Sequence, residues 1–343
     1  RDKYAGQPLK SVALSVPARD GQPLAPRFDR KGEFVVTGTG IEGSLVYAAS
    51  ALLRDDLMAQ GQARMVLDLL PDKTLEQVKK ELAWPRGSRS LSSHIKSRLG
   101  LDGVKMGLLH ELCHAEDFNQ PETLAMRINL PSGTPAEIDT TVASPTMGLV
   151  IAPDIFSLRP LFADMVTRLA QEWNMAVCAV EPFPDHSLGA EIEPRMKAVA
   201  SLNDANHLRD LHEAADALGT PRIGLMGFCM GGMYCFKSSV SERFARIVSF
   251  YGMIQVPPNW QSSTQGEPLD YLNRGDATKV LAIIGTNDPY TPAADVAALR
   301  ATGCNVVEYA AEHGFAHDAS RPSHRKEDAA DAFARTRAWL VGE

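Results

Sequence analysis

Gly227-Phe228-Cys229-Met230-Gly231-Gly232 decides how this chain reads. It lies between an apolar run, Arg222-Ile223-Gly224-Leu225-Met226, and a helix-like run, Met233-Tyr234-Cys235-Phe236-Lys237. That order predicts a strand, a sharp turn and a helix, with a cysteine at the apex. The apex residue of such a turn is forced into a strained backbone conformation. A side chain two residues to either side would collide with the adjoining strand or helix, and glycine avoids the collision. The turn also sets the sulfur at a helix N-terminus, where the dipole favours a thiolate. A G-x-C-x-G pattern in this context presents a nucleophile.

On both sides of this segment the apolar pattern alternates between strand and helix. Gly148–Ala152, Met175–Val180, Ile247–Tyr251, Val280–Ile284 and Asn305–Tyr309 read as strands. Leu161–Trp173, Leu202–Leu218, Ala293–Ala301 and Arg325–Leu340 read as helices. Arg127–Leu130 and Ala136–Val142, joined by a Pro-Ser-Gly turn, read as a hairpin. The expected fold class is α/β, a mostly parallel sheet covered by helices on both faces. A smaller α+β module precedes it. Its first thirty residues or so, rich in Pro and Gly, read as loops and short strands. Glu33–Val36 and Arg64–Leu69 read as strands, and Leu45–Gln60 and much of 71–115 as helix. The polar stretch Glu116–Glu122, with Pro121, reads as a linker, which divides the chain into 1–118 and 124–343.

The chain has 343 residues, 44% of them apolar, enough for a full core. Its net charge of -7 argues against a general nucleic-acid or anionic-membrane surface. No apolar run is long enough to span a bilayer, and no signal peptide is visible. A chain beginning with Arg1 rather than Met reads as processed or cut at its start. The five cysteines, 113, 178, 229, 235 and 304, are odd in number and unpatterned. They suit reduced thiols in a cytoplasm better than a disulfide framework.

A cysteine nucleophile needs a base, and the base needs an orienting acid. Asp288 lies in Gly285-Thr286-Asn287-Asp288-Pro289, directly after a predicted strand. His313 lies in Glu312-His313-Gly314-Phe315, after the next one. The sequential order nucleophile, acid, histidine is that of the α/β-hydrolase fold, and both loops fall at the rim where such sheets carry their sites. Met230, the residue after the nucleophile, is expected to donate its N–H to an oxyanion. Taken singly, each residue has a plainer reading: a buried thiol, a turn aspartate, a structural histidine.

Residues from about 124 to 343 resemble the dienelactone hydrolase family. The resemblance is carried by the Cys229 segment, Ser249-Phe250-Tyr251-Gly252, Gly285-Thr286-Asn287-Asp288, His313-Gly314-Phe315-Ala316-His317 and Asp328-Ala329-Ala330-Asp331-Ala332-Phe333. It implies that Cys229 attacks an ester or lactone carbonyl to give a thioester, with His313 as base and Asp288 as its orienting acid. It implies oxyanion donors at Met230 and Ile155. The family's glutamate near the cysteine falls on Asp154, which is one methylene shorter. The arginine that holds a substrate carboxylate falls on His317, which makes a weaker, pH-dependent site. No metal and no cofactor is implied.

Two further motifs invite other readings. Gly38-Thr39-Gly40-Ile41-Glu42-Gly43 spells G-x-G-x-x-G between a strand and a helix. The acid that should follow by about 20 residues is misplaced. Asp68 is too far and Asp55 and Asp56 are too near, so tight packing is the expected role. This N-terminal region resembles the BaiN-like flavoproteins, FAD-dependent oxidoreductases, over about residues 1–115. The resemblance rests on Tyr4-Ala5-Gly6-Gln7-Pro8-Leu9-Lys10, Gly40 to Tyr47 and Ser88 to His94. It implies an inserted, non-FAD part of such a protein, without a complete FAD site. His110-Glu111-Leu112-Cys113-His114 spells H-E-x-x-H, in which two histidines share a helix face and a glutamate could activate zinc-bound water. It has no clear third ligand. Three readings therefore stand: a triad hydrolase, a zinc hydrolase at His110/Glu111/His114, and a fusion in which the N-terminal part is an interaction module or a relic.

Overall fold

The computed structural model describes residues 2–16, 27–60, 63, 65–112, 127–142, 145–184, 186, 188–189 and 191–342. It divides into two compact units, Arg1–Met126 and Arg127–Glu343.

The first unit has a sheet of four strands, β1 (Pro8–Val16), β2 (Phe28–Val36), β3 (Ile41–Glu42) and β4 (Val66–Asp68), in the order β3-β2-β1-β4. Neighbours pair antiparallel. Helix α1 (Ser44–Gln60) follows β3, and α2 (Leu75–Leu82), α3 (Leu91–Leu99) and α4 (Gly103–Leu112) follow β4. Leu9, Val12, Leu14 and Val16 of β1 bury against Phe34, Leu45 and Ala49. The nine-residue β1 replaces the loops and short strands that the sequence suggests there. Its pairing with β2 slips between Leu9 and Val12, where Ser11 has φ 50°. This β-bulge adds one residue and breaks the two-residue period by which a half-buried strand is recognised.

The Gly38–Gly43 segment forms the end of a β2–β3 hairpin, with Val36 opposite Ile41. A dinucleotide fingerprint needs a parallel strand-turn-helix unit. The antiparallel hairpin does not supply one; of the three glycines only Gly43 packs closely, against Phe34, while Gly38 and Gly40 are exposed with open space around them.

The second unit is built on eight strands: β5 (Arg127–Asn129), β6 (Pro135–Asp139), β7 (Met147–Ala152), β8 (Ala176–Val180), β9 (Arg222–Phe228), β10 (Arg246–Phe250), β11 (Val280–Gly285) and β12 (Asn305–Tyr309). Their order is β12-β11-β10-β9-β7-β8-β6-β5. The six strands from β12 to β8 run parallel, and β6 and β5 close the edge antiparallel. Every residue of β7, β8 and β11 is buried. Successive side chains point to opposite faces, so burial of all of them means that both faces are covered. The covering helices are α5 (Pro160–Trp173), α6 (Ile192–Val199), α7 (Asp204–Ala217), α8 (Met230–Lys237), α9 (Pro268–Arg274), α10 (Ala293–Ala301) and α11 (Lys326–Val341). This is the α/β-hydrolase architecture expected from the sequence. Two helices were not legible there. α6 carries an internal proline, Pro194, and α9 is short and begins at the end of a Pro/Gln/Ser-rich stretch, 256–268. Trp260, from the same stretch, is 1% exposed and packs into the core.

Candidate active site

The chain turns sharply after β9. Cys229 has φ 55° and ψ -115°, and α8 starts at the next residue. A non-glycine residue held there costs about 1–3 kcal/mol and persists only where the surroundings fix it. They do so here. The Cys229 N–H donates to the Phe250 carbonyl at 3.0 Å, and its own carbonyl accepts from Met233 N–H at 3.0 Å. The flanking glycines are sterically required. A Cβ on Gly227 would strike the Gly231 carbonyl and lie 2.8 Å from Cys235 Sγ. A Cβ on Gly231 would strike the carbonyls of Ala152 and Pro153. The turn is thus wedged against the loop that follows β7. Cys229 remains partly exposed, whereas the other described cysteines, Cys178, Cys235 and Cys304, are buried. Burial pushes the thiol of Cys235 well above its ordinary range.

The loops after β11 and β12 bring two further predicted residues together. His313 Nδ1 lies 2.7 Å from Asp288 Oδ2. The Asp288 side chain is fully buried and also accepts the Tyr290 N–H at 2.8 Å. Burial works against a charge on His313. The Cys229 sulfur and the Asp288 carboxylate, each both charge and hydrogen-bond partner, outweigh it and raise the imidazole from 6.5 to about 10. With Nδ1 on Asp288, Nε2 is the nitrogen left for the sulfur. The proposed oxyanion donors Met230 and Ile155 stand at the start of α8 and in the loop after β7. Neither backbone N–H is spent on a hydrogen bond among the described residues.

The side chains of Asp154 and His317 have partners that the sequence reading does not give them. All the acceptor positions of Asp154 face partners other than Cys229. Oδ1 takes Phe156 N–H at 2.9 Å and Arg159 Nη1 at 2.6 Å. Oδ2 takes Arg159 Nη2 at 3.0 Å and His317 Nε2 at 2.8 Å. Burial would raise its pKa, but His317 and Arg159 hold it well below the usual carboxylate range. His317 is itself buried, stacked on Phe228 at 4.6 Å, and its Nδ1 meets the Tyr251 hydroxyl. With both ring nitrogens engaged, it offers nothing to a substrate carboxylate.

Three further residues around this loop cluster are given no role by the sequence reading. Tyr251, directly after β10, has φ 40° and places its ring edge-on to His313 at 5.2 Å. Tyr290 is exposed and contacts the same imidazole at 4.9 Å. Arg321 lies over Phe156 at 5.5 Å, with Nη1 against Gly314 and Nε 3.8 Å from Asp318 Oδ2. Its Nη groups make no hydrogen bond among the described residues. It therefore presents a guanidinium between the residue after His313 and the residue after Ile155.

A cavity of about 550 Å³ in the first unit, beside Lys10 and Lys105, and one of about 280 Å³ in the second, beside Thr134 and His207, are lined by none of Cys229, Asp288 and His313. His110 and Glu111 fall in the last turn of α4, while Cys113 and His114 lie outside the described residues. Among the described residues no three His, Cys, Asp or Glu side chains gather as a metal site. No described helix is long and apolar enough to cross a membrane.

A parallel sheet with a strained, glycine-flanked strand-to-helix turn and a His–Asp contact in the loops after later strands is the α/β-hydrolase arrangement, here with a cysteine at the turn. Residues 136–342 match the dienelactone hydrolase family, and residues 1–136 match the HI0933-like protein barrel and H2TH domain. "Carboxymethylenebutenolidase 2" of Cupriavidus pinatubonensis is 26% identical over 202 residues, 57% of this chain and 82% of that protein. A "Putative carboxymethylenebutenolidase" of Methylorubrum extorquens is 30% identical over 210 residues, 56% of this chain and 70% of that protein. The crystal structure of "Putative Dienelactone Hydrolase" from Klebsiella pneumoniae superposes with TM-score 0.56 at 24% identity, covering 63% of this chain and 98% of its own. The chain belongs to the dienelactone hydrolase family and is an ester or lactone hydrolase.

Proposed function

We propose that the chain cleaves a carboxymethylenebutenolide-type lactone or a related ester through a thioester on Cys229. The observation that carries this is the 2.7 Å His313–Asp288 contact beside a cysteine held at positive φ. His313 takes the proton of the Cys229 thiol. The sulfur attacks the carbonyl carbon, and the carbonyl electron pair moves onto oxygen, facing the Met230 and Ile155 N–H groups. Collapse breaks the ester C–O bond, and the leaving oxygen takes the proton from His313. His313 then takes a proton from water, the hydroxide attacks the thioester, and the C–S bond breaks. These steps use only groups of the chain and water. Arg321 is the group we assign to a carboxylate on the substrate, in place of the occupied His317.

Turnover of dienelactone and of p-nitrophenyl acetate by the wild type and by Cys229→Ala tests the reading. We expect both activities to fall by at least about 10³-fold in the variant. Turnover unchanged in Cys229→Ala would sink it. Arg321→Ala should weaken dienelactone binding and leave the neutral ester little affected.

We read residues 1–118 as a separate module without a complete FAD site and 124–343 as the hydrolase domain. The antiparallel setting of the glycine-rich turn supports the first half of that reading. Small-molecule substrates, rather than nucleic acid or membrane, fit the net charge of -7. The unpaired described cysteines suit the cytoplasm.

A further inference from the structure

We propose that His317 is a positioning residue of the hydrolase site, tying the loop that carries the Ile155 N–H to the Tyr251 ring that lies against His313. The inference rests on the Cys229/His313/Asp288 reading above. His317 touches three of the segments that carry that chemistry. Nε2 lies 2.8 Å from Asp154 Oδ2, one residue before Ile155. Nδ1 meets the hydroxyl of Tyr251. The ring stacks on Phe228, one residue before Cys229, at 4.6 Å and 20°.

The proton arrangement follows from the partners. Burial and the Asp154 charge hold the Tyr251 hydroxyl protonated well beyond its ordinary range, so it donates to Nδ1. Nδ1 must then be the bare nitrogen, and Nε2 carries the hydrogen that Asp154 accepts. Only a group that donates on one side and accepts on the other completes this chain. An imidazolium donates on both sides and leaves Tyr251 without an acceptor.

The charged and titratable groups facing His317 are Asp154 and Arg159 from the segment after β7, Tyr251 from the end of β10, and Asp318 and Arg321 from its own loop. Phe162 and Phe228 close the remaining sides. Burial lowers the His317 pKa, Arg159 and Arg321 add to that, and Asp154 opposes it. The net direction is down, so the ring stays neutral at neutral pH and gains its second proton only on acidification.

The test uses the full chain with p-nitrophenyl acetate, a neutral ester that does not call on Arg321, and counts active sites by alkylation of Cys229. His317→Leu removes donor and acceptor together. We expect its kcat per titrated site to fall about tenfold or more, with KM within about twofold. His317→Gln restores a donor and an acceptor without a titrating ring. It should regain most of the loss, and its kcat should hold to lower pH than that of the wild type. A merely structural role would lower the thermal midpoint of both variants and leave kcat per titrated site unmoved. Wild-type kcat in His317→Leu, or a Gln variant no better than Leu, overturns the proposal. Should the Leu variant not fold, Tyr251→Phe removes a single hydroxyl. It is expected to lose kcat several-fold at constant KM, and an unchanged kcat counts against the proposal. Cys229→Ala separates the two levels. Full turnover in that variant overturns the triad itself, whereas an inactive Cys229→Ala beside an unaffected His317→Leu overturns only the positioning role.

Discussion

Two non-glycine residues with nearly the same positive φ, one in each unit, serve different ends. Ser11 in the first unit has φ 50° and Cys229 in the second has φ 55°. Ser11 is exposed at a bulge, and its strand has one buried face. Cys229 stands at the end of a strand buried almost throughout, with glycines packed against its neighbours and a His–Asp pair beside it. Backbone strain alone therefore marks no site. It marks one where close packing fixes the strain and the loops of neighbouring strands deliver partners to the same place. The second unit meets that condition because its parallel strands send the loops after β7, β9, β10, β11 and β12 to one edge of the sheet.

The contrast can be broken by substitution. Gly231→Ala should be the most damaging to the fold, because its Cβ meets two backbone carbonyls that cannot move independently. A loss of about 3 kcal/mol or more in urea unfolding of the second unit is expected. A stable, active Gly231→Ala would mean that the turn is not fixed by packing. Next comes the anchor at the far end of α8. Lys237 Nζ lies 2.8 and 3.0 Å from the two oxygens of Asp204, and both side chains are buried. Asp204→Ala strands that ammonium and should cost about 3–5 kcal/mol. An effect under about 1 kcal/mol would show that the pair is solvated.

Leu14→Ala, in the core of the first unit, should cost about 2–4 kcal/mol there and leave ester turnover unchanged. A large drop in kcat would erase the functional contrast between the units.

The last effect is on pH dependence. Folding raises the His313 pKa from 6.5 to about 10, so the native state binds the proton more tightly than the unfolded chain. The resulting stability is fully present below about pH 6.5 and is lost as pH rises through about 10. Unfolding free energy of the wild type should decline over that window, and His313→Gln should flatten the decline.

The sequence exposed whatever is enforced locally. The apolar runs of β7 to β11 reflect burial on both faces, and the glycines around Cys229 reflect close backbone approach. The order of Cys229, Asp288 and His313 reflects strand order. What stayed hidden depends on loops meeting in space. Asp154 and His317 are 163 residues apart and read as an acid beside the cysteine and a substrate-side histidine until their hydrogen bond is seen. Arg159 and Arg321 have no local pattern at all, and Tyr251 stands in a recognisable segment that does not disclose its contacts with His313 and His317. β1 was hidden for a different reason, since one extra residue at Ser11 cancels its alternation.

The central claim is that Cys229 carries the acyl group. Rapid acid quench of the wild type during turnover of a slowly deacylating p-nitrophenyl ester, followed by peptide mass spectrometry, tests it directly. The account predicts the acyl mass on the peptide containing Cys229, absent from Cys229→Ala. Steady turnover with no acyl mass on that peptide, or the same mass on another residue, would contradict it.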